Sequence, residues 1–303
     1  MMSVLIITSL QQGILYSIMA MGVYITFRIL NIPDLTVDGS FTFGMATATV
    51  LTIAGHPFLG ILLALLAGML AGIVTGILQT QLKIHPILAS ILTMTSLYTV
   101  NLAVMGGKSN LSLLGKETVF TKFMELFSLQ KSRSQTIVSI FICVLVIFVI
   151  CVFFKTRTGL AIRATGDNED MVRSSSINAN RYKCLGLAIG NGLAAMSGAL
   201  IAHYQSSADV NFGSGIVVTG LAAVIIGETF FGKHSVTIGM ISAVVGMISY
   251  RIIIAFALKI DLFPSYALKL VASCIVTIAL AVPAVKEVIK QNKQRRMALK
   301  DVE

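Results

Sequence analysis

Ionisable side chains are rare within the long apolar stretches of this 303-residue chain, and their presence there needs a chemical reason. Asp34 and Asp38 lie in the stretch NIPDLTVDGSFTFG (residues 31–44), and Glu228 lies near the end of a later apolar run. An ionisable group at membrane depth is costly unless it faces the interior of a helix bundle, where it can bind a proton, an ion or a solute. The residues that we predict to line a solute path are Asp38, Gly39, Thr42, Asn101, Asn191 and Glu228.

A structural role is the alternative for the charged positions. Asp38 can cap and brace a broken helix instead of lining a path, and both interpretations stay open for Asp38 and for Glu228. For Arg251 and Lys269 we favour the structural interpretation. Long basic side chains reach the membrane interface or pair with acids, and they can fix helix packing without touching a solute.

The composition predicts an integral membrane protein made of helices. Hydrophobic residues make up 56% of the chain, charged residues make up 12%, and the mean hydropathy is +0.88. A soluble domain is about 45–50% apolar and about 25% charged. Since about 20 apolar residues span a bilayer as a helix, the apolar runs predict an all-α, polytopic membrane helix bundle of about 8–10 transmembrane helices. We treat residues 1–303 as a single domain, with apolar runs at 4–27, 40–55, 58–82, 86–106, 136–154, 184–204, 214–231, 235–257 and 264–285.

Proline and glycine indicate where regular helix stops and where helices pack closely. Pro33 and Gly39 predict an interruption at the beginning of the second helix, because proline lacks a backbone donor and glycine weakens helix. Small residues at four-residue spacing, as at Gly68, Gly72 and Gly76, predict close contact between helices of this chain.

The distribution of basic residues predicts the orientation in the membrane. The formal net charge is +10, and basic residues concentrate in the loop 155–183 and in the tail 286–303. Positive charge beside membrane helices favours the cytoplasmic side and attracts anionic lipid. We therefore predict a cytoplasmic C-terminus, an outward N-terminus and membrane lipid as a partner, and we do not expect nucleic-acid binding.

The sequence contains no arrangement typical of catalysis or of a metal site. The histidines at 56, 85, 203 and 234 are scattered, and no Ser/His/Asp or Cys/His arrangement emerges. Residues 227–233 fit the spacing G-x-x-x-x-G-K of a nucleotide-binding loop, but His234 follows where that loop needs Ser or Thr to bind magnesium. We expect no catalytic residue, no metal and no cofactor on this chain.

The loop 155–183 has the pattern of an ordered element. Asp167 or Asn168 can cap a short helix, in whose first turn Glu169 and Asp170 favour the positive helix end. Met171 and its neighbours add an apolar contact surface. From the pattern alone, this element either lies on the membrane surface or docks on a soluble partner.

Several motifs, in order, resemble those of one transporter family. They are DLTVDG (34–39), GLAIRATGDN (159–168) with SIN (176–178), GLAIGNGLAAMSGAL (186–200), Asp209, and VTGLAAVIIGE (218–228). Together they resemble the membrane permeases of ABC importers of the branched-chain amino acid and ribose type, and most of all the tryptophan/tyrosine group. The likeness extends from about residue 10 to 285, and it departs at Ser175 and Ser176, where the family more often has small apolar residues and glycine.

The resemblance implies a mechanism and a set of partners. An extracytoplasmic substrate-binding protein delivers the solute, a pair of permeases alternates access, and cytoplasmic ABC ATPase subunits bind ATP and Mg²⁺ and drive the cycle. The implied solute is a hydrophobic or aromatic amino acid, the implied second permease is an identical copy, and the implied location is a prokaryotic cell membrane. The loop 155–183 would be the coupling loop, with contacts at Arg163, Asn168, Glu169, Asp170, Met171 and Arg173.

The alternative function is an ion-coupled secondary transporter. In that case Asp38 or Glu228 would carry a proton or a sodium ion. The ordered loop 155–183 argues against it, because a carrier driven by an ion gradient needs no docking element for an ATPase.

Overall fold

The computed structural model describes residues 2–127, 130–232 and 235–259, together with single positions between 270 and 281. Two strands and eleven α-helices occur in this part of the chain. The helices are α1 (Met2–Val23), α2 (Thr36–Ile53), α3 (Pro57–Thr80), α4 (Pro86–Val104), α5 (Val119–Leu126), α6 (Lys131–Phe153), α7 (Arg157–Asp167), α8 (Glu169–Ser174), α9 (Ala179–Gln205), α10 (Ile216–Phe231) and α11 (Val236–Lys259). A π-helical turn, Tyr24–Ile29, continues α1, and the strands are β1 (Asn110–Ser112) and β2 (Ser207–Asp209).

The predicted all-α membrane bundle is confirmed. Eight of the nine apolar runs form helices, while the run 264–285, which includes Lys269, and the tail 286–303 lie outside the continuously described residues. Six described helices are long and apolar enough to cross a membrane: Leu5–Ile29, Pro57–Thr80, Pro86–Val104, Lys131–Phe153, Ala179–Gln205 and Val236–Phe256. Helix α10 is shorter, and α2 is less apolar because it carries Asp38 and five threonines.

Helices α1 and α9 form the centre of the bundle. In α1, 72% of the most apolar stretch is buried, and in α9 the share is 78%, against 28% for both α4 and α6. Helix α9 packs against α1, α2 and α3, while α1 also packs against α10 and α11. The exposed faces of α3, α4 and α6 are therefore the surfaces left for lipid or for another chain.

The glycine row of α3 makes the predicted close contact. Gly68, Gly72 and Gly76 approach the backbone of α9 at Asn191, Leu187 and Cys184 respectively, leaving no room for a side chain. Because the α9 positions decrease as the α3 positions increase, the two helices run antiparallel. This row packs two helices of the same chain.

The break in regular helix lies before α2 and not inside it. Asn31 adopts a left-handed backbone with φ of 57°, and residues 31–35 around Pro33 are not helical. The prediction that Gly39 breaks the helix is wrong, since Gly39 lies within the continuous α2. A Cβ at Gly39 would stand 3.0 Å from Leu97 of α4, so this glycine allows a close helix contact.

Short elements mark the two ends of the bundle. Strands β1 and β2 pair antiparallel, with Asn110 opposite Asp209, and join the loops that follow α4 and α9. Helices α7 and α8 lie between α6 and α9 at the opposite end. Gly166 of α7 packs its backbone against Ile29 and Leu30 at the end of the π-helical turn.

Candidate functional site

Asp38 holds the beginning of α10 from the first turn of α2. Its carboxylate accepts hydrogen bonds from the backbone N–H groups of Gly215 (2.8 Å) and Val217 (2.7 Å). These are among the donors that a helix leaves unpaired at its first turn, and a carboxylate there also favours the positive end of the helix. Thr42 donates to the carbonyl of Asp38 at 3.2 Å. The geometry therefore gives Asp38 a bracing contact between α2 and α10.

Asp34 is the centre of a buried polar cluster that sequence reasoning did not include among the site residues. Its side chain is fully buried and accepts from the backbone N–H of Thr36 (2.9 Å) and from Nδ2 of Asn191 (2.7 Å). Asn191 Nδ2 also donates to the carbonyl of Leu187 at 3.0 Å, and its Oδ1 accepts from Ser40 at 2.7 Å. Asn191, predicted on the path, is thus fully engaged in joining the non-helical segment and α2 to α9.

Asn101 contacts the backbone of Gly39. Its Nδ2 donates to the Gly39 carbonyl at 3.2 Å, and the side chain is 1% exposed. Its Oδ1 has no hydrogen-bond partner among the described residues. Asn101, Gly39, Asp38 and Asn191 therefore lie in one region around α2, although most of their polar atoms bind other protein groups.

An aromatic stack lies beside this region, and sequence reasoning missed it. The ring centroids of Tyr16 and Phe41 are 5.7 Å apart, and those of Phe41 and Phe212 are 6.3 Å apart. The guanidinium carbon of Arg251 lies 3.6 Å from the centroid of Tyr16. Among the described residues, Arg251 therefore packs its guanidinium on an aromatic ring, a contact that fits a role in helix packing.

Glu228 lies at the other end of α10 from Asp38. Val217 and Glu228 are separated by about 16 Å of helix, at about 1.5 Å per residue. The Glu228 carboxylate binds the guanidinium of Arg28 through two hydrogen bonds, one of them 2.6 Å from Nε to Oε1. The Glu228 side chain is 10% exposed, whereas that of Arg28 is 38% exposed. The structure therefore separates Glu228 from the other path candidates.

The Arg28–Glu228 ion pair borders a cavity of about 270 Å³ next to α7. Arg163 and Asp167 of α7 line the same cavity, as does Tyr24 of the π-helical turn. A π-helical turn is rare and often marks a functional position, and here it carries Arg28. The cavity brings together the predicted coupling residue Arg163 and the predicted path residue Glu228.

Helices α7 and α8 are both capped by side chains. Thr156 accepts from the backbone N–H of Gly159 at 3.3 Å, and Asn168 accepts from that of Met171 at 3.0 Å. The predicted cap of α8 by Asn168 is confirmed, while Asp167, the alternative cap, is the last residue of α7. The caps define two short helices that are separated by the extended backbone of Asn168.

The charged residues of α8 divide into anchored and exposed ones. Glu169 binds Arg173 at 2.7 Å and Lys183 of α9 at 2.5 Å. Burial alone would raise the pKa of Glu169, but the hydrogen bonds from Lys183 and Arg173 outweigh it and keep the pKa below its usual value.

The outward side of α8 carries its most exposed residues. Met171 is 66% exposed and Asp170 is exposed, while Val172 is buried at 4%. Of the predicted coupling residues, Asp170 and Met171 face outward, whereas Asn168, Glu169 and Arg173 hold the element in place. Arg163 is exposed at the cavity next to the Arg28–Glu228 pair.

No group of three His, Cys, Asp or Glu side chains in the described part of the chain is close enough to hold a metal ion. Most polar atoms of the candidate path residues bind other protein groups, and Asp170 and Met171 are exposed on α8. A helical membrane bundle with a capped two-helix element at one end is a suitable form for a transport subunit.

Comparison with known proteins identifies the family. Residues 5–284 match the family described as the permease component of branched-chain amino acid transport systems, and the chain belongs to that family. It is therefore a multi-pass membrane permease of the ABC transporter type, a transport subunit rather than an enzyme.

Two relatives and one solved structure match over most of the chain. The tyrosine transport system permease protein of Clostridioides difficile is 37% identical over 278 residues, which cover 91% of this chain and 90% of that protein. An uncharacterized protein of Rickettsia prowazekii is 32% identical, over 91% of this chain and 97% of its own length. PsaBC from Streptococcus pneumoniae, solved in complex with Fab, has a TM-score of 0.54 at 15% identity, covers 89% of both chains, and supports the fold.

Proposed function

We propose that this permease is the membrane subunit of an ATP-driven importer for an aromatic or hydrophobic amino acid. In this proposal an extracytoplasmic binding protein delivers the solute, and cytoplasmic ATPase subunits hold ATP and Mg²⁺, so that the chain itself needs no cofactor. Membership of the permease family supports this arrangement. The observation that carries the coupling role is the capped α7–α8 element, which presents the exposed Met171 at the end of the bundle.

The orientation and the assembly belong to the same proposal. We place the C-terminus and the α7–α8 element in the cytoplasm of a prokaryotic cell, because basic residues concentrate in the loop 155–183 and in the tail 286–303. A second identical copy would complete the permease as a symmetric pair. Lipid would contact the exposed apolar faces of α3 and α6.

The contacts of α7 suggest how its movement would reach the membrane helices. Gly166 packs against the carbonyl of Ile29, so α7 rests directly on the π-helical turn that carries Arg28. Arg28 in turn binds Glu228 at the end of α10. A displacement of α7 by the ATPase would therefore change the position of Arg28 relative to Glu228. Coupling requires such a contact to differ between the states of the transport cycle.

An aromatic solute is the substrate class that we infer. The relative from Clostridioides difficile is named as a tyrosine transport permease. Inside the bundle, the stack of Tyr16, Phe41 and Phe212 lies next to Asp38; Tyr16 and Phe41 are buried, and Phe212 is half-buried. Aromatic rings pack favourably with other aromatic rings.

The contacts of the Asp38 and Glu228 carboxylates favour the ATP-driven importer over the ion-coupled carrier. Asp38 accepts two backbone hydrogen bonds and Glu228 is held by Arg28. A carboxylate that carries a proton or sodium ion needs to exchange it during transport, and these contacts oppose that exchange. Reconstituted vesicles distinguish the two functions. Uptake should require the ATPase, the binding protein and ATP, and uptake driven by a proton or sodium gradient without ATP would overturn the proposal.

The coupling role is tested at Met171. Met171→Asp places a charge on the exposed apolar contact of α8 and should lower substrate-stimulated ATPase activity at least about tenfold, since about 1.4 kcal/mol of lost contact free energy corresponds to a factor of ten. Met171→Leu keeps an apolar side chain at the same position and should retain coupling. Equal stimulation of the two variants, at equal insertion into the membrane, would remove α8 from the proposed contact.

A further inference from the structure

We propose that the seam between the α3–α4 turn and the α8–α9 junction binds the headgroup of an anionic phospholipid. A cavity of about 530 Å³ lies there, at the same end of the bundle as α7 and α8. Its lining comes from the turn after α3 and from α8 and α9, and the Arg28–Glu228 cavity is a separate one. The site rests on the proposed orientation, which places this end of the bundle in the cytoplasm, and otherwise follows from the charge and the surroundings of this cavity.

The charges of the cavity select an anion. Lys83, Arg173 and Lys183 line it, and Glu169 is the single carboxylate among the described lining residues, which leaves an excess of two positive charges. Glu169 is already bound by Arg173 and Lys183. Lys83 forms no ion pair with any described residue and is exposed, so its ammonium is free to bind a ligand oxygen.

Three further polar side chains add donors to the same wall. His85, Gln79 and Asn180 line the cavity together with the cations. Lysine and arginine bind phosphate oxygens through charge-assisted hydrogen bonds, and an imidazole N–H adds a further donor. A phosphate group, with its several acceptor oxygens, matches this set of donors better than a solute with a single carboxylate.

The apolar surface next to the cavity selects a lipid among the phosphate-bearing ligands. Leu82 is 63% exposed and Ile87 is 42% exposed, and both directly neighbour lining residues in sequence, while Leu88, which follows Ile87, is 52% exposed. Acyl chains can lie along this surface while the headgroup occupies the cavity. Basic pockets between membrane helices on the cytoplasmic side bind anionic headgroups in this manner.

The position of the cavity links the lipid to α8. Arg173 binds both Glu169 and Asn180, and Lys183 binds Glu169, so the cations that face the cavity also fix α8 on α9. A headgroup between Lys83 and these cations would tie the α3–α4 turn to the α8–α9 junction. The bound lipid would thereby stabilise the position of the exposed Met171.

The test measures lipid bound by the full-length protein purified in detergent. The protein is exchanged into mixed micelles of phosphatidylcholine and phosphatidylglycerol, and the retained phosphatidylglycerol per chain is counted by native mass spectrometry. Lys83→Gln should weaken phosphatidylglycerol binding about fivefold, the effect of one cation beside an anionic membrane surface. The matched control is Lys155→Gln, which removes a basic residue of the loop 155–183 outside the cavity lining and should change binding less than about twofold.

A second arm separates a lipid from a soluble phosphate. Inorganic phosphate at millimolar concentration should leave phosphatidylglycerol retention unchanged at constant ionic strength, because the apolar contact is missing from free phosphate. Displacement of the lipid by phosphate would overturn the lipid assignment, and equal binding by Lys83→Gln and Lys155→Gln would overturn the site. Neither readout involves the ATPase or uptake, so their failure is distinct from failure of the proposed transport function.

Discussion

The acidic residues near α2 and those of α8 are all carboxylates, but the first lie inside the bundle and the second lie at its end. Asp34 is fully buried and binds groups on its own segment and on α9, and Asp38 is tied to the backbone of α10. On α8, Glu169 is anchored while its neighbour Asp170 is exposed. Acids inside the bundle therefore hold helices together, whereas the exposed acid of α8 lies at the bundle end. Function at the α2 region would therefore require these contacts to rearrange, whereas α8 can act as it stands.

The largest effect is expected at Asp34. Asp34→Ala leaves the Thr36 N–H and the Asn191 amide without their acceptor in a fully buried place, which should lower the free energy of unfolding by about 2–4 kcal/mol. The measurement is the midpoint of unfolding in a detergent titration followed by circular dichroism. The control, Glu125→Ala, changes an exposed acid and should shift the free energy by less than about 0.5 kcal/mol. Equal shifts for the two variants would contradict the structural role of the Asp34 cluster.

A smaller effect is expected at Asp38. Asp38→Ala removes the acceptor for two N–H groups at the beginning of α10 and should cost about 1–2 kcal/mol, as the loss of a helix cap does. Asp38→Asn keeps one acceptor oxygen and should cost less. Uptake at equal expression separates a structural role of Asp38 from a role on the solute path. Normal uptake by Asp38→Asn would leave Asp38 as a structural residue. Loss of uptake in a well-folded Asp38→Asn protein would place the carboxylate on the solute path.

The sequence predicts features that depend on near neighbours. The cap of α8 joins Asn168 to Met171, three residues apart, and the apolar runs define their helices within the run itself. The contacts that decide the roles of the acids are not local. Asp38 binds Val217, and Glu228 binds Arg28, 179 and 200 residues apart in sequence. Nothing in either stretch alone indicates its partner.

Gly39 is a residue at which a distant contact overrides the local preference of the sequence. A glycine weakens an isolated helix, so the sequence predicts a break there. In the bundle, the same missing side chain lets α2 approach Leu97 of α4, and the helix continues. Tertiary packing overrides local propensity at this position, whereas Asn31 and Pro33 act on the backbone itself and do end the helix.

The smallest effect is expected for the pH dependence of the ion pairs that Glu169 makes on α8. Because the folded pKa of Glu169 lies below its usual value, the contribution of its ion pairs is fully present above the pKa of the unfolded chain, about 4.3, and is lost as the pH falls through the lower folded value. Between about pH 6 and 8, hydrogen exchange should therefore be constant after correction for the intrinsic rate. Hydrogen exchange of residues 167–175 should accelerate only below about pH 4, and Glu169→Gln should show weaker protection with no such pH dependence. Acceleration at neutral pH in the unmodified protein would mean that another group anchors α8, and the division of α8 into anchored and exposed residues would have to be redrawn.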